Sequence, residues 1–129
     1  MNLRLLLTIN AFLAVAHGLG FILLPGQLLT FYQIAGSPGA EFMGQLFGTE
    51  LLVVAIVAWK ARDFQGLATL SAVVLANLIA DVVGTVLSVR AVTVGVTGPV
   101  GWLAVAIYGL LALGYLLVYL KRAYPTSAA

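Results

Sequence analysis

GLATLSAVVLANLIADVVGTVLSVR, residues 66–90, decides the fold. It stays apolar for about the 20 residues that a helix needs to cross a bilayer. Near its middle stand Asn77 and Asp81, with Thr85 a further turn along, so steps of four place all three on one narrow polar stripe. Ala72, Ala76, Ala80 and Gly84 run beside that stripe and suit close packing against a neighbouring helix. An ionised carboxylate at mid-bilayer costs on the order of 2.5–3.5 kcal/mol or more, so the stripe must face protein or a cavity, and Asp81 becomes a functional candidate.

The rest of the chain has the same character. Of its 129 residues 63% are hydrophobic and 8% charged, against roughly half and a quarter in soluble domains. The composition implies one membrane domain of about four spans. Without cysteine there is no disulfide, thiolate nucleophile or thiolate metal site. Six basic residues are too few and too scattered for a nucleic-acid surface. Their placement reports topology: Arg4, Lys60, Arg62, Lys121 and Arg122 fall on one side of a four-span chain and Arg90 on the other. By the positive-inside rule both termini are expected in the cytoplasm, in a bacterial inner membrane.

The predicted fold is all-α, an up-down four-helix transmembrane bundle with spans near 3–24, 41–60, 66–90 and 100–120. The first span closes at Pro25-Gly26. A rival reading takes Arg4, Leu5 to Leu13 and Ala14-Val15-Ala16 as a signal peptide, but the apolar run continues through Leu24. Between spans one and two, Gln27, Thr30 and Gln33 recur at steps of three among Leu28, Leu29, Phe31, Tyr32 and Ile34. That pattern predicts a short helix lying in the interface, an anchor or a lid. Gly36-Ser37-Pro38-Gly39 is expected to break it.

Each span carries a polar group. Asn10 and His17 lie seven residues apart and so share a face of the first span, about 20° apart. On the second, Glu41, Gln45 and Thr49 lie on one side and Glu50 points about 180° from Glu41. Because Glu50 sits near mid-bilayer it is expected to be buried. Gly44 and Gly48 form a small-xxx-small pair that fits either a helix contact within the bundle or a homodimer seam. On the fourth span, Trp102 marks the outer interface and Tyr119 and Tyr124 the inner one; Tyr115 reads as packing, whereas the mid-membrane hydroxyl of Tyr108 wants a partner. At about 1.5 Å per residue, Asn10, His17, Gln45, Glu50, Asn77, Asp81 and Tyr108 share one slab of the membrane. His17, Glu50 and Asp81 are the candidate acid-base groups, and Asn10, Gln45, Asn77 and Tyr108 the candidate ligand-binding ones. The bland alternative for His17 is a neutral imidazole satisfied by a neighbouring helix. With no HxxxH or ExxH spacing, no metal site is predicted.

Leu24-Pro25-Gly26, the run Gly44-Gln45-Leu46-Phe47-Gly48-Thr49-Glu50 and the exit Ala58-Trp59-Lys60-Ala61-Arg62-Asp63 give the chain a resemblance to the small four-span bacterial membrane proteins grouped around DoxX. The resemblance implies a quinone-linked or other membrane-redox accessory role, since DoxX itself is associated with a thiosulfate:quinone oxidoreductase. No family motif maps residue by residue onto this chain. Four readings follow: a pocket for a lipophilic or amphiphilic molecule such as a quinone or isoprenoid, with proton exchange; an acid-base isomerase or hydrolase on such a substrate; a proton-coupled transporter; or an accessory subunit whose polar groups knit helices together.

Overall fold

The computed structural model describes residues 2–63 and 67–123. All regular structure among them is helical: α1 (Leu3–Leu23), α2 (Pro25–Phe31), α3 (Pro38–Ala61), α4 (Leu67–Thr93) and α5 (Gly101–Ala123). Gly66, the expected start of the third span, and Tyr124 lie outside the described residues. α1, α3, α4 and α5 are each long and apolar enough to cross a membrane. Their outer faces carry bare apolar side chains such as Phe12, Met43, Ile56, Val86 and Leu110. In water such a surface would drive aggregation, whereas lipid is its natural solvent. The chain is a multi-pass helical membrane protein.

Local chemistry sets the helix ends. Asn2 caps α1, its side chain accepting from the Arg4 amide at 3.0 Å. Leu24 precedes a proline and is pushed out of the helical region, to φ −135°, ψ 49°. Pro25 then occupies the first turn of α2, where its missing N–H is no loss. The expected break at Gly36-Ser37-Pro38-Gly39 instead builds the start of α3, which begins three residues before Glu41: the Ser37 hydroxyl accepts from the Ala40 amide at 3.1 Å and Pro38 opens the helix.

Two antiparallel pairs make up the bundle. α1 lies along α3, and α4 along α5, while contacts between the pairs are narrower. In the first pair glycine lets backbones approach: a Cβ built on Gly48 would stand 2.6 Å from the Gly18 carbonyl oxygen, and one on Gly44 would meet the Phe21 ring at 3.1 Å. Of the two uses open to Gly44 and Gly48, the structure shows the contact within the bundle: both are buried and packed on α1 of the same chain. The ring of Phe21 meets Phe47 edge-on at 5.5 Å, Phe12 meets Trp59 at 5.9 Å, and Arg4 reaches Asp63 at 3.2 Å. Gly84 does the same for the second pair, lying flat against the Tyr108 ring.

The packing is uneven along the bundle axis. Leu6, Leu7, Ala11, Ala58, Ala61, Leu70, Val74, Leu111, Tyr115 and Val118 form a continuous core. They come from the start of α1 and α4 and the end of α3 and α5, the end that carries Arg4, Lys60 and Arg62. Towards the other end the two pairs separate. There α2 and the α4–α5 loop close over the gap, tied by the Gly98 amide donating to the Tyr32 carbonyl at 3.1 Å.

Candidate functional site: a cavity between the helix pairs

The gap is a cavity of about 650 Å³ lined by α1, α3, α4 and α5, with Tyr32 and Ile34 just beyond α2 and Thr97 of the α4–α5 loop. Its walls are mostly apolar, with Leu13, Phe21, Phe47, Leu87 and Ile107 among them, and the polar groups are few. Asn10, His17, Glu50, Asn77, Asp81 and Tyr108, six of the seven residues singled out from the sequence, stand on its wall. Gln45 does not: it belongs to the opposite side of α3, where its amide donates to the Ile22 carbonyl at 3.2 Å. The wheel that separates Glu50 from Glu41 and Gln45 can bring only one of those sides to the cavity.

A polar knot forms the floor. Asn10 Nδ2 donates one hydrogen to Asn77 Oδ1 and the other to the Tyr115 hydroxyl, both at 2.8 Å, and Asn77 Nδ2 donates to the Val73 carbonyl at 2.8 Å. These bonds join α1 to α4 and α5 where the core ends and the cavity begins. Tyr115 escaped the sequence reading because its seven-residue spacing from Tyr108 is also that of ordinary packing aromatics.

His17 is held higher on the wall. The Leu13 carbonyl 3.0 Å from its Nδ1 can only accept, so Nδ1 carries a hydrogen. In the neutral ring Nε2 is then the acceptor, and it takes the Tyr32 hydroxyl hydrogen at 3.1 Å. Burial raises the Tyr32 phenol above its ordinary value of 10.0, which keeps that donor protonated. Neither Glu50 nor Asp81 reaches ion-pair distance of His17 among the described residues, where the ion pairs are Arg4–Asp63 and Arg62–Asp63. Nor do any three His, Asp or Glu side chains converge among them. The expected acid-base trio is therefore spread around the wall.

Asp81 is the exception to the rule that buried polar groups find partners. The residue is 6% exposed, and its Oδ2 has no hydrogen-bond partner. Thr85 bonds the Asp81 backbone carbonyl at 2.7 Å and leaves the carboxyl alone. Among the described residues the other buried side-chain polar atom in this condition is Thr97 Oγ1, which also lines the cavity, at the far end near the α4–α5 loop.

The exposed part of the wall lies on two helices. Phe47, Glu50 and Val54 of α3 and Ala80, Val83 and Leu87 of α4 line the cavity and are exposed, whereas its lining residues on α1 and α5 are buried or half-buried. The cavity thus opens sideways, between α3 and α4. Glu50 stands at this opening, which corrects the expectation that it is buried: its position on α3 turns it to the edge of the gap instead of the packed interior.

Comparison with protein-family models, with curated proteins and with solved structures returns no match. Fold and site together define a class, the helical membrane proteins with a side-opening polar-based cavity.

Proposed function

We propose that this chain takes a small lipophilic or amphiphilic molecule from the bilayer through the gap between α3 and α4 and holds its polar end against Asp81. The observation that carries this reading is an unpartnered, buried carboxylate oxygen on the wall of a largely apolar cavity of about 650 Å³, within the size range of small-molecule sites. Quinones and isoprenoids have the required apolar bulk, as does any lipid-borne molecule with a comparable chain or ring. Proton exchange, where it accompanies binding, rests with Asp81 and Glu50, the acids free of His17. The packed core across the Arg4 end weighs against a channel. The positive-inside rule supports a topology with the positively charged end and both termini in the cytoplasm, in a bacterial inner membrane.

The test is photo-crosslinking in lipid nanodiscs with a diazirine-bearing C12 alcohol, the labelled residues read by mass spectrometry. Labelling of Tyr108, Ile107 and Leu111 inside the cavity is expected, falling when Ala80→Trp fills the opening. Labels confined to lipid-facing positions such as Phe12 and Leu110, and indifferent to A80W, overturn the proposal.

A further inference from the structure

The charges that the cavity wall can carry are, His17 apart, of one sign. Glu50 stands at the opening and Asp81 inside, and among the described residues the lining holds no lysine or arginine. The one basic side chain there, His17, has both ring nitrogens engaged, on Leu13 and Tyr32. Asn10 gives both amide hydrogens to the knot, and Asn77 accepts one of them and donates to the Val73 carbonyl. Beside the neutral hydroxyls of Ser88, Thr97 and Tyr108, what the wall offers an incoming group is an acceptor of negative character, the Asp81 Oδ2. In a low-dielectric cavity such a charge acts at longer range and with more force than it would in water.

From this we infer that the ligand class is the lipophilic cation, a protonated primary or secondary amine on an apolar chain or ring. The inference rests on the reading of the cavity as a ligand site and specifies its selectivity. An ammonium group supplies both things Oδ2 lacks, a hydrogen-bond donor and a compensating positive charge. A phosphate or carboxylate headgroup meets repulsion at Glu50 before it reaches Asp81. A quinone brings only carbonyl acceptors and leaves an ionised Oδ2 as unpartnered as before. The apolar wall of Phe21, Phe47, Leu87 and Ile107 takes the hydrocarbon part. Glu50, at the opening, concentrates cations at the entrance.

Three photoreactive C12 chains that differ only in their end group, amine, hydroxyl and carboxylate, separate this inference from the one beneath it. Each is added at pH 7 to the full chain in nanodiscs of neutral lipid. Labelling of cavity residues is normalised to labelling of Leu110 and Ile56 on the lipid face, which removes differences in partitioning. The expected order is amine, hydroxyl, carboxylate, with the amine about ten-fold above the hydroxyl because a charge-assisted hydrogen bond is roughly twice as strong as a neutral one. Asp81→Asn removes the amine's advantage while hydroxyl labelling persists, which also reports that the variant is folded. Should D81N not insert, the wild-type ratios decide, and Glu50→Gln provides the second variant, with a smaller loss of the amine's advantage expected. Equal cavity labelling by all three chains, or preference for the carboxylate, overturns the cation inference and leaves the ligand site standing. Cavity labelling by none of them overturns both.

Discussion

The knot of Asn10, Asn77 and Tyr115 holds together two helix pairs that otherwise touch narrowly, and its energy can be worked from its bonds. Asn10→Ala deletes two interhelical hydrogen bonds of 2.8 Å. Such bonds in membrane proteins are worth about 0.6 kcal/mol on average and about 1.7 at most, because the unfolded chain in lipid also finds partners. The substitution should therefore cost about 1.2 kcal/mol, with an upper bound of about 3.4. Tyr115→Phe removes one of the two bonds and should cost about 0.6 kcal/mol, since Asn10 keeps Asn77. In the double variant the shared bond is lost once, so the cycle should return a coupling of about 0.6 and no more than about 1.7 kcal/mol. Steric trapping in bicelles gives the unfolding free energies reversibly. Strict additivity of N10A and Y115F would show that the two side chains do not meet in the membrane, and the floor of the cavity as described would be wrong.

Three further outcomes are expected. Gly48→Val drives side-chain atoms into the Gly18 carbonyl, a backbone atom that cannot swing aside, and should destabilise by about 1–3 kcal/mol; Gly36→Ala, which meets nothing within 4 Å, is the control, and equal effects in the same bicelle assay refute the glycine seam. Since burial raises the Tyr32 phenol above 10.0, its contribution to stability is fully present below pH about 10 and is lost as pH rises through the folded-state value. The ultraviolet difference titration of wild type against Tyr32→Phe should show a phenol ionising above pH 10, and a midpoint at or below its ordinary value contradicts the buried bond to His17. With no native cysteine to interfere, single replacements report topology: an impermeant maleimide should label Val94→Cys in intact cells and Asp63→Cys only after permeabilisation, the reverse pattern placing the termini outside.

Much of this was legible in the chain, for reasons that differ from residue to residue. Spans are legible because about 20 apolar residues have few other uses, and the interfacial α2 because a proline and three spaced polar residues interrupt the run. Asp81 stands out since an acid in lipid is costly wherever it points. Facing is harder to read. The wheel of α3 carries two polar sides, and periodicity cannot say which one meets the cavity; Gln45 and Glu50 were both candidates, and the contact of Gly44 and Gly48 with α1 turns only Glu50 towards it. The same contact answers whether that glycine pair meets another copy or the neighbouring helix. Tyr32 as the partner of His17, Tyr115 as the partner of Asn10, and Thr97 at the far end depend on contacts 15 or more residues apart or on a loop, where local pattern is silent.

On the proposed function, lipid-borne molecules enter between α3 and α4 and end at Asp81. A high-resolution structure in lipid nanodiscs, read for non-protein density in the cavity, tests it most directly. Elongated density is expected, running in past Glu50 and Leu87 and finishing within hydrogen-bond distance of the Asp81 carboxyl. Helix pairs closed on one another over a dry interior, with that carboxyl bonded to a protein group, would contradict it.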